Sequence, residues 1–122
     1  LSDVKDRVKT FEDVLSELGI SPDEFTNQTE GLSKDEIAYR KIKLIAQALN
    51  EGWTPDWKDD DQWKYYPWFD LSSGRGLSYL AYAYGSTHST VGSRLCFRSA
   101  ALAEYAGKQF RKLYEDYFLI RQ

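Results

Sequence analysis

The chain of 122 residues contains no methionine, one cysteine, one histidine and three prolines. A single cysteine, Cys96, excludes an internal disulfide, which fits a reducing compartment. One cysteine and one histidine without ligand spacing argue against a zinc site. No run approaches the ~18 apolar residues that a membrane helix needs. The opening stretch from Leu1 to Thr10 alternates charges with isolated apolar residues, so no secretion signal is expected. Without one, the sequon Asn27-Gln28-Thr29 reads as accidental. The lack of methionine even at position 1 points to numbering that starts inside a longer or trimmed chain. These scarcities together lead us to expect a cytoplasmic protein with no cofactor, no bound metal and no membrane partner.

What is plentiful is aromatic: four Trp, nine Tyr and six Phe make up 16% of the chain. Such rings favour cores and binding surfaces alike. The length suits one domain, residues 1–122, with one core and no need of a staple. The net charge of −3 hides a split. Residues 1–62 carry 8 Lys/Arg against 15 Asp/Glu, and residues 63–122 carry 8 against 4. Either the halves attract each other within one fold, or the basic half faces an anionic partner.

Helix signals dominate the first half. Thr10 and Asp13 resemble a capping box before Phe11, Val14, Leu15 and Leu18, with Gly19 as the stop and Val4 and Val8 as a backward extension. Ser21-Pro22 caps what reads as only a short turn, because 26–31 is polar and lacks periodicity. Ser33 and Glu36 form a clearer capping box. It opens a one-sided helix with Ala38, Ile42, Ile45 and Leu49 on its stripe, ended by Asn50-Glu51-Gly52.

After an acidic loop the pattern changes to strands at 63–71, 77–84 and 93–98. Pro67 makes the first an edge strand or bends it. Ser99 then caps a last helix with Leu102, Ala106, Phe110, Leu113 and Tyr117 on its buried side. The expected fold is therefore α+β: N-terminal helices, a small three-stranded antiparallel sheet, and a C-terminal helix packed on one face.

Strand alternation sorts the side chains into two sets. Tyr65, Phe69, Leu71, Leu77, Tyr79, Leu95 and Phe97 form the expected core side. Lys64, Tyr66, Trp68, Tyr82, Tyr84, Arg94 and Arg98 form the other. Rings interleaved with cations suit a protein interface or a single-stranded nucleic acid. Helices on both faces would instead make these rings core, and Pro67 could swap the sets. Arg75, in the turn Gly74-Arg75-Gly76, joins the candidate binding residues. That turn could form an anion-binding nest, but it lacks the strand–glycine–helix context of a nucleotide loop and a plain hairpin turn is the preferred reading.

No catalytic residue is assigned. His88 lies in a Ser/Thr loop with no spacing that recruits Ser86, Ser89 or Asp70. Cys96 alternates with Leu95 and Phe97 as a structural thiol. Asp56, Asp59, Asp60 and Asp61 lack the central Gly and closing Glu of a calcium loop.

Four motifs are distinctive: Lys64-Tyr65-Tyr66-Pro67-Trp68-Phe69-Asp70-Leu71, Gly92-Ser93-Arg94-Leu95-Cys96-Phe97, the run from Leu102 to Phe110, and Ala48-Leu49-Asn50-Glu51-Gly52-Trp53. In these the chain resembles a family of small proteins encoded by phages and prophages of gut Bacteroidetes, over roughly residues 35–120. The resemblance implies a bacterial cytoplasm and a phage accessory role, and it supplies no catalytic residues. The expectation is a non-catalytic interaction module with a phage or host protein partner. The alternative is a single-stranded nucleic-acid binder using the same face.

Overall fold

A computed structural model describes residues 3–71, 78–86 and 89–120, with the backbone alone at 70 and 78–81. Leu77, Arg75 and His88, and the side chain of Tyr79, lie outside the described residues. Six helices and one two-stranded sheet are present among those described: α1 (Val4–Arg7), α2 (Phe11–Leu18), α3 (Pro22–Thr29), α4 (Lys34–Asn50), β1 (Lys64–Asp70), β2 (Ser78–Gly85), α5 (Ala100–Gln109) and α6 (Arg111–Phe118). The α+β class is as expected, but the sheet has two strands rather than three.

The caps work as the sequence indicates. Thr10 Oγ1 accepts the Asp13 N–H at 3.2 Å, while the Asp13 carboxylate accepts the N–H groups of Lys9 and Thr10. Those two backbone donors hold the Asp13 carboxyl below its ordinary pKa. Gly19 ends α2 at φ +72°, a left-handed conformation that glycine adopts without a Cβ penalty. Val4 and Val8 are buried as expected, but α1 is a separate turn broken at extended Val8.

Two helices differ from expectation. Residues 22–29 form a full helix, α3, not a short turn. Its buried Phe25 packs on Phe11, with ring centres 4.9 Å apart, and tertiary anchoring outweighs the weak periodicity. The last helix divides at Phe110 (φ −113°, ψ 28°) into α5 and α6. The buried stripe then continues from Leu102, Ala106 and Phe110 to Tyr114, leaving Leu113 and Tyr117 only partly buried.

The core draws on both halves of the chain. Val4, Val8 and Val14 meet Ile42, Ile45 and Leu49 of α4, and Phe97, Leu102 and Phe110 close over them. Asn50, 5% exposed, ties the halves together. Its Nδ2 donates to the Cys96 carbonyl at 2.9 Å, and its Oδ1 accepts the Arg98 N–H at 3.0 Å.

The missing third strand has a local cause. Tyr65 and Phe97 exchange both backbone hydrogen bonds (3.1 and 2.7 Å) as a single antiparallel bridge. The next pair in that ladder would be Pro67 with Leu95, and Pro67 has no N–H to donate. In the other direction Ser99 is already committed to α5, its carbonyl accepting the Ala103 N–H at 3.2 Å and its Oγ the Leu102 N–H. Residues 93–98 are therefore mostly turn, held by one bridge. On the β2 side Pro67 costs nothing. Tyr65's polar groups point away from β2, and so does the nitrogen of Pro67 two residues on.

Candidate interaction surface

The strand register decides which side chains share a face. Tyr65 pairs with Tyr84, Tyr66 with Ala83, Pro67 with Tyr82 and Trp68 with Ala81. Directly opposed residues project to the same side. Tyr82 and Tyr84 therefore stand with Tyr65, and Lys64, Tyr66 and Trp68 stand on the opposite side. The single ring-and-cation face expected from alternation is thus divided in two. Each strand obeys the period of two, but a sequence does not fix the phase between strands. A register irregularity between Trp68 and Phe69 shifts the pairing again, to Phe69 with Tyr79.

Lys64 and Tyr66 are not on the surface. Lys64 is 2% exposed and Tyr66 8%. The Lys64 ammonium donates to three backbone carbonyls, those of Asp56 (2.7 Å), Asp59 (3.2 Å) and Ser86 (3.0 Å). It also lies 5.0 Å from the centre of the Trp57 ring. Its three donors are spent on joining the acidic loop to the end of β2. Arg98 is likewise engaged, with Nη2 2.7 Å from Glu51, which also pairs with Arg7 at 2.8 Å. Hydrogen bonds from Arg98, then Arg7, hold the Glu51 carboxyl below its ordinary range.

The remaining described site residues are exposed but scattered. Tyr82 and Tyr84, 40% and 57% exposed, form a ring cluster with Tyr65 and Trp63 at centre distances of 4.9–6.4 Å. Arg94 belongs to a separate polar groove with Lys43 and Trp53. Tyr65 and Phe69 pack against the core as expected, whereas Leu71 is 51% exposed.

What the fold does build is an apolar groove of about 510 Å³ where Tyr66, Trp68, Phe69 and Leu71 meet Val91 and Phe118. Side chains from both faces of β1 line it, together with Pro67. This is the arrangement of a groove running along a strand edge, and Pro67 is the residue that stops the Phe97 segment from pairing further along that edge. Trp68, Leu71 and Phe118 expose 51%, 51% and 43% of their surface. Among the described residues, no charged side chain lines the groove. Sequence reasoning identified Tyr66 and Trp68 here and missed Phe118 and Val91, which come from a helix end and a loop with no periodic signal.

The remaining candidates for chemistry are structural. Cys96 is buried, burial pushes its thiol up to about 11, and its Sγ lies 3.6 Å from the Ser93 carbonyl. In the acidic loop, Asp56 and Asp59 accept the backbone N–H groups of Lys58 and Asp61. Among the described residues no cluster of His, Cys, Asp or Glu is suited to holding a metal ion, and no helix is long and apolar enough to cross a membrane.

Comparison with known proteins finds no matching family model, no matching curated protein and no matching solved structure.

Proposed function

We propose that the protein is a non-catalytic interaction module whose partner lays an extended apolar segment into the groove along the β1 edge. The observation that carries this reading is the grouping of half-exposed Trp68, Leu71 and Phe118 around one groove whose described lining is apolar apart from Thr90. Large rings in a partly enclosed apolar setting are the usual anchors of protein interfaces. Clustered exposed apolar side chains mark interaction sites, whereas scattered single ones are ordinary. A sheet edge closed to further pairing by a proline also favours recognition through side chains over recognition through a full backbone ladder.

A single-stranded nucleic-acid reading of the original face has less support. Lys64 and Arg98, two of its cations, are engaged within the protein. Phosphate neutralisation needs cations free to meet the strand. A phage accessory role in a bacterial cytoplasm, acting on a phage or host protein, rests on the motif resemblance alone.

The test compares partner capture by the wild-type chain, Trp68→Ala, Phe118→Ala and Tyr84→Ala. Loss with the first two variants and retention with Tyr84→Ala supports the groove. Equal capture by all four chains, or loss confined to Tyr84→Ala, would refute it.

A further inference from the structure

We propose that the second groove, at the carboxy-terminal end of α4, binds a nucleoside monophosphate group, with its phosphate between Lys43 and Arg94 and its base against Trp53. The groove has a volume of about 500 Å³, within the usual range for small-molecule sites. Lys43, Gln47, Trp53, Thr54, Ser93 and Arg94 supply its chemistry, and among the described residues no carboxylate lines it. It shares no lining residue with the apolar groove, so the two proposals stand or fall separately.

The charge in the groove is available. Arg94 is exposed and makes no ion pair among the described residues. Lys43 makes none either. Its ammonium lies 6.0 Å from the Tyr39 ring, the outer limit of a cation–π contact, so little opposes its turning toward an anion. Of the nearby acids, Glu51 is paired with Arg7 and Arg98, and Asp56 keeps its charge while accepting the Lys58 N–H. Asp35 and Glu36 border a neighbouring groove that Lys43 also lines, where both accept the Ser33 hydroxyl. The α4 terminus brings roughly half a negative charge, which two full positive charges outweigh. Its last carbonyls are also partly satisfied, because the N–H groups of Glu51 and Trp53 donate to Ala48 and Asn50.

The polar groups fit the same ligand. Ser93 Oγ accepts the Trp57 indole N–H at 2.6 Å, which leaves the Ser93 hydroxyl proton to donate to a phosphate oxygen. Trp53 is half-buried, and its backbone is fixed by the bond to Asn50. Stacking of a base on such a ring contributes about 1–3 kcal/mol. The Gln47 amide offers both a donor and an acceptor to a base edge.

Isothermal titration with adenosine monophosphate, adenosine and inorganic phosphate as separate probes tests the site. Adenosine monophosphate should bind about tenfold or more tightly than either fragment, more weakly as salt rises. Arg94→Ala, on an exposed side chain, should weaken binding about tenfold while the circular dichroism spectrum stays unchanged. A dinucleotide that binds more tightly than the monophosphate assigns the ligand to a strand, and one that binds more weakly assigns it to the free nucleotide. Absence of adenosine monophosphate binding at millimolar concentration overturns the proposal. So does phosphate binding as tightly as the nucleotide, or affinity unchanged in Arg94→Ala.

Discussion

Pro67 faces Tyr82 across the sheet, so Tyr82 belongs to the side of Tyr65 and not to that of Trp68. This pairing separates two groups of rings that are equivalent in the sequence. One forms the exposed tyrosine cluster. The other sinks toward the loops, with Tyr66 buried and Trp68 left at the rim of the groove.

Neighbouring rings on one face should therefore respond differently to truncation. Tyr66→Ala removes a buried ring and should cost about 3 kcal/mol, by lost burial and a residual cavity. Trp68→Ala, half-exposed, should cost under about 1 kcal/mol. Chemical denaturation of both variants measures the difference, and equal losses would place Trp68 in the core.

Lys64→Met should destabilise the protein by roughly 2 kcal/mol, because three part-buried carbonyls lose their donor. Arginine should not restore it, since a planar fork cannot place three donors where the ammonium does. Urea melts of Lys64→Met and Lys64→Arg provide the check, and a Lys64→Arg curve superimposing on wild type would show that charge alone suffices.

The hydroxyl of Tyr114 is buried with no hydrogen-bond partner among the described residues, and burial raises its pKa. Its ring packs on Phe69 at 5.2 Å and Phe118 at 6.3 Å. Removing a buried orphan oxygen while keeping the ring should stabilise the fold. Tyr114→Phe is expected to gain about 1 kcal/mol in thermal or urea unfolding. A loss of stability would mean that the hydroxyl has a partner in solution.

Glu51 sets an acid limit on stability. Its pKa is lowered by Arg98 and Arg7, so the folded chain holds the carboxylate more tightly than the unfolded chain does. That contribution is present above the unfolded pKa and disappears as pH falls through the folded pKa. Wild type should thus lose melting temperature more steeply on acidification than Glu51→Gln, with the two curves converging at the acid end. Parallel curves would show that the ion pairs contribute nothing.

Much of this architecture is legible in the residues. Thr10 with Asp13, Ser33 with Glu36, and Ser99 announce helix starts through short-range chemistry that folding does not override. The α4 stripe of Ala38, Ile42, Ile45 and Leu49 is buried as its period requires. The site was less legible because it depends on long-range facts. Nothing local shows that the Lys64 ammonium meets carbonyls of 56, 59 and 86, or that Glu51 reaches Arg98. Pro67 did announce an edge. Which segment would stop at that edge, and that Phe118 would border the space left there, only the tertiary arrangement decides.

Site-specific photo-crosslinking tests the groove most directly. A benzophenone amino acid replaces Trp68 in one chain and Tyr84 in another, and both are irradiated in bacterial cells. The account predicts one discrete covalent adduct from position 68, abolished by Phe118→Ala, and none from position 84. Adducts from position 84 alone, or a position-68 adduct that persists with Phe118→Ala, would contradict it.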